Sequence, residues 1–245
     1  MHMVKNLGII PARFGSTRFP GKPLAKIGGI SMIERVYKQA LLSELDRVVV
    51  ATDDERIMEC VSSFGGEAIM THTDIHTGTE RCREALKKSG LDPENIINIQ
   101  GDEPFIDPGQ INSIIKLLYK PDVDIATMIS PALSFEEVVN ENRVKVVVAH
   151  SGKALYFSRS VIPFATKSRQ QIEDYFIHLG IYGFKKSVLL ALGNVKPGYL
   201  ERAESLEQLT WLENGFEIFT VQTMERNDSV DTPEDLQNLE RKFFL

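Results

Sequence analysis

Acidic residues are missing from the start of the chain. From Met1 to Ile33 there is no Asp or Glu, and Glu34 is the first. The whole chain is acidic, with 34 Asp and Glu against 28 Lys and Arg and a formal net charge of −6. The positive charge is therefore local, and the overall balance argues against a nucleic-acid partner. Cysteine is scarce: Cys60 and Cys82 stand alone, with no C-x-x-C. That leaves no basis for a disulfide framework or a structural zinc site, and two buried free thiols are expected. No apolar run approaches the ~20 residues of a membrane span. The run Leu7–Ile10 is too short for a signal peptide and leads directly toward Arg13. A cytoplasmic protein with no membrane partner is expected. Repeats, low-complexity tracts and a clear linker are also missing. At 245 residues, 42% hydrophobic and 25% charged, the chain reads as one soluble α/β domain spanning 1–245.

The acid-free segment contains Pro11–Leu24, PARFGSTRFPGKPL, with Arg13, Arg18 and Lys22 among Gly15, Ser16, Thr17 and Gly21. A cationic, glycine-bearing loop after a first strand points to a phosphorylated small molecule. It is not a P-loop. Five residues separate Gly15 from Gly21, and Pro23 follows Lys22 where a Mg²⁺-binding Ser or Thr would stand. The dinucleotide fingerprint G-x-G-x-x-G does not occur either. Two arginines and a lysine suit a nucleoside triphosphate, because guanidinium groups bind phosphate oxygens bidentately and an ammonium adds a point charge.

The pattern predicts strands at Leu7–Ile10, Val48–Thr52, Ala68–Met70 and Ile96–Ile99. Between them, helices start at Ser31 with Glu34 as a capping box, after Asp53-Asp54, and at Thr77-Gly-Thr-Glu-Arg81. A further helix follows Pro108. This alternation implies a parallel sheet with helices on both faces, whose ligands lie at the carboxyl ends of the strands. PARFGSTRFPGK, ATDD and QGDEP each follow a strand and are expected to meet on that edge. Beyond residue 120 the rhythm changes. Ile125–Ser130, Val144–Ala149, Ala154–Phe157 and Ile177–Phe184 read as strands, the middle two joined as a hairpin through His150-Ser-Gly-Lys153. Pro163–Asp174 is polar and aperiodic and is expected to be a mobile loop. Helices are expected at Lys186–Leu192 and Glu204–Asn214, a last strand at Phe216–Val221, and a final helix with Pro233 at its first position. In that helix Leu236, Leu239 and Phe243 are expected to face inward. The middle third, about 144–184, looks like an antiparallel insertion.

A bound triphosphate calls for a divalent cation. Asp102 and Glu103, just past a strand, could supply a carboxylate, and Gly-Asp-Glu-Pro is equally good turn chemistry. Asp231 is a second carboxylate, with helix-dipole stabilisation as its other reading. Together the two make a Mg²⁺ pair of the usual kind. His178 lies in an apolar strand with Tyr182 four residues on, so the pair could be a site or packing. Glu207 and Gln208 could line a site or a solvated helix, and Arg159 could simply cap the hairpin.

The resemblance to a known family rests on motifs along most of the chain: IIPARFGSTRFPGKPL, VVVATDDERI, TGTER, NIQGDEP, VKVV, ALYFSRSVIP, HLGIYGF, LEQL and VDTPEDL, in that order. The chain resembles the 3-deoxy-manno-octulosonate (Kdo) cytidylyltransferases, which make CMP-Kdo for lipopolysaccharide synthesis. The resemblance implies a nucleotide-diphospho-sugar transferase fold, Rossmann-like, with a mixed central sheet and an antiparallel dimerisation insertion. It implies the substrates CTP and Kdo, Mg²⁺ as cofactor, and a homodimer. It places Arg13 and Lys22 on the CTP phosphates with Arg18 in support, and Thr79 and Arg81 by the cytidine. Asp102 and Asp231 become the Mg²⁺ ligands, and Asp102 could also accept the hydroxyl's proton, so Arg13, Lys22 and Asp102 carry the catalysis. Gln100, Arg159, His178, Tyr182, Glu207 and Gln208 would surround the sugar acid. Two positions depart from the family's habit: Thr77 where Ser is common, and Thr210 where Arg commonly follows LEQL. The alternatives are the same reaction on 8-amino-Kdo or sialate, a non-catalytic nucleotide sensor on this fold, and a dinucleotide-dependent oxidoreductase, which lacks its glycine fingerprint.

Overall fold

The structure, a computed structural model, describes residues 4–15, 18–166 and 171–244. Ser16 and Thr17 of the first loop, and residues 167–170 of the expected mobile loop, lie outside the described residues. The chain packs as two units, Met1–Ile115 with Asn227–Leu245, and Lys116–Arg226.

The first unit begins with β1, Asn6–Ala12. A small hairpin follows, β2 (Lys26–Ile27) and β3 (Ile30–Ser31). Then come α1 (Met32–Leu41), β4 (Arg47–Thr52), α2 (Glu55–Ser63), β5 (Ala68–Met70), α3 (Gly78–Ser89), β6 (Asn95–Asn98) and α4 (Pro108–Leu118). β1 pairs in parallel with β4 and β6, and β4 with β5, in the order β6-β1-β4-β5. Leu7, Ile9, Ile10, Val50, Ala51, Ile96 and Ile97 are fully buried, as expected of parallel strands covered on both faces. Parallel pairing brings the carboxyl ends of β1, β4 and β6 to one edge.

Caps decide where the helices start. Thr77 accepts from Glu80 N at 3.1 Å and Asp54 from Arg56 N at 2.9 Å, as the sequence predicts. The capping box at Ser31 does not form. Ser31 occupies the cap position without a side-chain cap bond; its Oγ is 3.4 Å from Cys60 Sγ, while Glu34 pairs with Lys38. The buried face of α1 is Met32, Ile33, Val36, Tyr37 and Ala40, and Leu41 is exposed. Neither cysteine is in a disulfide among the described residues; Cys82 is buried and Cys60 half-buried.

The second unit holds β7 (Ile125–Pro131), α5 (Phe135–Val139), β8 (Lys145–Val148), β9 (Ala154–Ser158), β10 (Phe176–Lys185), α6 (Lys186–Leu192), α7 (Tyr199–Glu204), α8 (Glu207–Glu213) and β11 (Ile218–Gln222). β10 runs antiparallel to β7 and β8, and β8 to β9; β11 is parallel to β7. The strands are therefore mixed, in keeping with the expected fold class. Two short helices, α5 and α7, occupy stretches to which the sequence pattern assigns no element, and Ile172–Asp174 is a single 3₁₀ turn. The expected helix Glu204–Asn214 is split, because Ser205 takes a left-handed conformation with φ of 53° and ends α7.

The chain closes in the first unit with α9, Pro233–Phe244. Its Leu239 is buried with Ile27, Met32 and Val230, with Leu236 packed against them. Phe243 is partly exposed and stacks on Phe105 at 4.2 Å. The Arg35 guanidinium lies over Phe105 and Phe244 and donates to the Ile27 carbonyl at 2.9 Å. These contacts anchor the helix whose amino end presents Asp231.

Candidate active site

The carboxyl edge of the first unit's sheet carries a cleft of about 270 Å³. Arg13, Arg18, Lys22, Gln100, Asp102 and Asp231 are among its walls. The first loop is shaped by Phe14, whose ring lies 3.3 Å from the Arg56 guanidinium and whose carbonyl accepts from Gly21 N at 2.9 Å. Gly21 has a φ of 72°, and a Cβ there would sit 3.1 Å from the Phe14 ring, so the turn that delivers Lys22 needs glycine. On the other wall a Cβ on Gly101 would stand 3.0 Å from the Pro11 carbonyl. Its absence lets the Asp102 loop close against the end of β1.

The charged centre is a small network. Lys22 Nζ lies 2.8 Å from Asp102 Oδ2, 2.9 Å from the Val230 carbonyl and 3.5 Å from Asp231 Oδ1. Arg18 pairs with Asp231 at 3.0 Å from a well-exposed position. Arg13 is exposed at the rim and forms no ion pair among the described residues, which leaves its guanidinium open to phosphate. The backbone ties the two carboxylates together, since Val230 N donates to the Asp102 carbonyl at 2.9 Å. Asp235, which sequence reasoning missed, orients Asp231 by accepting from the N–H groups of Asp231 and Thr232 at 3.0 and 2.9 Å. Burial opposes its ionisation, yet these bonds hold its carboxyl below the ordinary range. The signal for Asp235 was Thr232-Pro-Glu-Asp235, a capping box that here also positions a site residue. Asp102 and Asp231 converge on one ammonium and offer hard oxygen donors, so this pair fits a Mg²⁺ ion shared with substrate phosphates.

The ATDD segment acts at one remove. Asp53 pairs with Arg81 at 2.9 Å, and Asp54 caps α2. Arg81 is buried and lines the cleft, yet donates to Thr71 Oγ1 at 2.5 Å and the Ile75 carbonyl at 3.0 Å. It therefore organises the loop that brings His76, Thr77 and Gly78 to the cleft. Thr79 is buried in the first turn of α3. His76 went unnoticed in the sequence, where only its position next to TGTER marked it.

Of the expected sugar contacts, Gln100 lines this cleft. The other five belong to the second unit. His178 and Tyr182 stay adjacent across a bulge in β10, with ring centroids 5.2 Å apart. Phe157 covers the His178 ring at 5.1 Å, and Trp211 meets Tyr182 at 5.1 Å. Thr127 Oγ1 donates to the Ile181 carbonyl at 2.8 Å, so it accepts from His178 Nε2 at 2.9 Å. That network assigns the neutral ring's proton to Nε2. The residue is half-buried, but its ring is enclosed, and desolvation pulls its pKa down to about 3. Burial likewise raises the Tyr182 hydroxyl. This hydroxyl lies near Thr127 but makes no hydrogen bond of ordinary geometry among the described residues. Gln208 is buried and Glu207 half-buried at the start of α8. Arg159 follows β9 and turns its donors onto main-chain carbonyls. Thr210 is buried, bonded to Glu201 and to Gly198 N, so its side chain serves the α7–α8 junction.

The His178 shift has a definite sign. The folded pKa lies below the ordinary 6.5, so between about pH 6.5 and 3 the unfolded chain takes up a proton that the native ring refuses. Stability contributed by the neutral ring is present above that window and falls with pH inside it, by up to about 1.4 kcal/mol per unit. Urea unfolding between pH 4 and 7 is expected to give a shallower pH slope for His178→Gln than for the parent. Equal slopes would remove His178 from the acid response.

The chain is similar along its length to known cytidylyltransferases. A family model described as cytidylyltransferase matches residues 7–221. The 3-deoxy-manno-octulosonate cytidylyltransferase of Porphyromonas gingivalis is 48% identical over 238 residues, covering 94% of this chain and 93% of its own. That of Bacteroides thetaiotaomicron is 45% identical, covering 97% of each. A solved structure of CMP:2-keto-3-deoxy-manno-octonic acid synthetase complexed with CTP matches with a TM-score of 0.92 at 39% identity, covering 97% of this chain and 98% of that one.

Proposed function

Because this chain belongs to the family of 3-deoxy-manno-octulosonate cytidylyltransferases, we propose that it catalyses CTP + Kdo → CMP-Kdo + diphosphate. The anomeric hydroxyl of Kdo attacks the α-phosphorus of CTP. A new O–P bond forms, the α–β P–O bond breaks in line, diphosphate leaves, and the hydroxyl's proton passes to the Asp102 carboxylate. Positioning and charge stabilisation carry such a reaction. The observation that supports it most is the cleft in which Arg13, Arg18 and Lys22 face Asp102 and Asp231.

Arg13 and Lys22 hold the triphosphate and offset charge that develops on it, and Arg18 assists from the rim. Arg81 and Thr79 build the cytidine side of the cleft through the loop before α3. Asp102 and Asp231 hold Mg²⁺. When bound, the ion neutralises nucleotide oxygens and makes diphosphate a better leaving group. Arg159, His178, Tyr182, Glu207 and Gln208 of the second unit serve the sugar acid, and Gln100 serves the cleft of the first unit. His178 acts as a neutral hydrogen-bonding ring, since burial keeps it unprotonated at physiological pH.

The product supplies lipopolysaccharide synthesis from the cytoplasm, and the chain works as a single catalytic domain in a homodimer. Exposed Leu155, Val161 and Phe164 within 144–184 support that segment as the contact; light scattering tests it. The reaction itself is tested by diphosphate release with four nucleotides crossed against Kdo, its 8-amino analogue and sialate. CTP with Kdo is expected to dominate. Faster release with another acid sugar, or CTP binding without release, would overturn the reading.

A further inference from the structure

Lys145 is fully buried in β8, within the VKVV motif to which the sequence assigns no role. Its ammonium donates to three main-chain carbonyls: Asn140 at 2.8 Å, Arg143 at 2.6 Å and Arg159 at 2.6 Å. An ammonium has three N–H donors and a neutral amine only two, so this triad matches the charged form. Burial lowers the pKa of Lys145 and the Glu204 carboxylate opposes that shift. A buried charge of this kind is costly, and an apolar residue of similar volume would often be as stable. What the ammonium holds in place is therefore the informative part.

It holds Arg159. The N–H of Arg159 donates to Glu204 Oε2 at 2.9 Å, and Ser158 Oγ donates to Glu204 Oε1 at 2.6 Å. The guanidinium donates from Nε to the Glu204 carbonyl at 2.8 Å, from Nη1 to Glu141 at 3.0 Å and from Nη2 to Ser205 at 3.4 Å. Among the described residues three of its five N–H groups are thus used, and each terminal nitrogen keeps one for an anion. Ser205 is the left-handed joint between α7 and α8, a conformation that a non-glycine residue keeps only when its surroundings hold it. Glu207 and Gln208 follow immediately.

We propose that Lys145 is a positioning residue for sugar-acid binding: its ammonium fixes Arg159, and Arg159 in turn fixes the Glu204–Ser205 joint that presents Glu207 and Gln208. The proposal rests on the reading of these residues as sugar contacts. Its test is steady-state kinetics of the full-length enzyme with Kdo and CTP varied in turn. Lys145→Met is expected to raise KM for Kdo about tenfold or more while KM for CTP stays within about twofold. A residue that only supports the fold would lower the active fraction and the melting temperature with KM for Kdo unchanged; that result overturns the proposal. Should Lys145→Met fail to fold, Glu204→Gln keeps the side-chain volume and weakens the hold on Arg159. It is expected to raise the same KM by a smaller factor, and an unchanged KM there is equally fatal. Arg159→Lys separates the two levels of the argument. If it leaves KM for Kdo unchanged, the sugar-contact reading falls. If it raises that KM while Lys145→Met and Glu204→Gln do not, only the positioning role falls.

Discussion

Asp102→Asn is expected to lower turnover by about 100-fold or more, the scale of losing one charge-stabilising contact in a preorganised site. The substitution keeps the volume and the backbone. The Asp102 carbonyl still accepts from Val230 N, so the segment that carries Asp231 stays attached. What is lost is one of the two carboxylates that converge on Lys22. The Lys22–Asp102 pair is partly solvated, and such pairs contribute only about 1 kcal/mol or less to stability. Activity should therefore collapse while the melting temperature shifts little. Diphosphate release at varied Mg²⁺ measures the first and a thermal scan the second. Near-normal turnover would remove Asp102 from the reaction.

Lys22→Met is expected to lower turnover by about 100-fold to 1,000-fold, again on the scale of a removed charge donor. Its second effect is more diagnostic. In this structure the ammonium stands between two carboxylates that come together through Val230. Methionine leaves those like charges facing each other with only the exposed Arg18 beside Asp231, which favours anything positive that takes the place of the ammonium. Without nucleotide, Mg²⁺ is therefore expected to raise the melting temperature of Lys22→Met more than that of the parent. An equal or smaller rise would mean that the ammonium does not screen the pair.

Signals between neighbours in sequence were legible. The cap of α3 at Thr77, the cap of α2 at Asp54, the β-branched runs of β4 and β7 and the hairpin at residues 150–153 depend on residues within a few positions, and their geometry follows from propensity and period. The parallel edge followed from alternation alone, and with it the place of the cleft. Where local signals misled, a distant group had intervened. Ser31 has every cap credential, but its hydroxyl lies against Cys60. No local rule puts a serine into a left-handed joint; Ser205 adopts it where Arg159 reaches its carbonyl from 46 positions away. The Asp53–Arg81 pair joins two motifs that the sequence treats as separate.

The acid-free loop PARFGSTRFPGKPL shows the division most clearly. By itself the sequence determined the α/β class, the strand–loop alternation, the concentration of positive charge after β1 and the ordered motifs of the family. Those are properties of composition and spacing, and spacing encodes which face and which edge a residue occupies. Only the tertiary structure decided that Lys22 stands between Asp102 and Asp231, with its ammonium on a carbonyl 208 positions away. It alone decided that Asp235 steadies Asp231 and that Arg81 faces inward. The physical reason is that charges interact through a few ångströms of space. Parallel pairing and the anchoring of α9, not distance along the chain, determine which charges come that close.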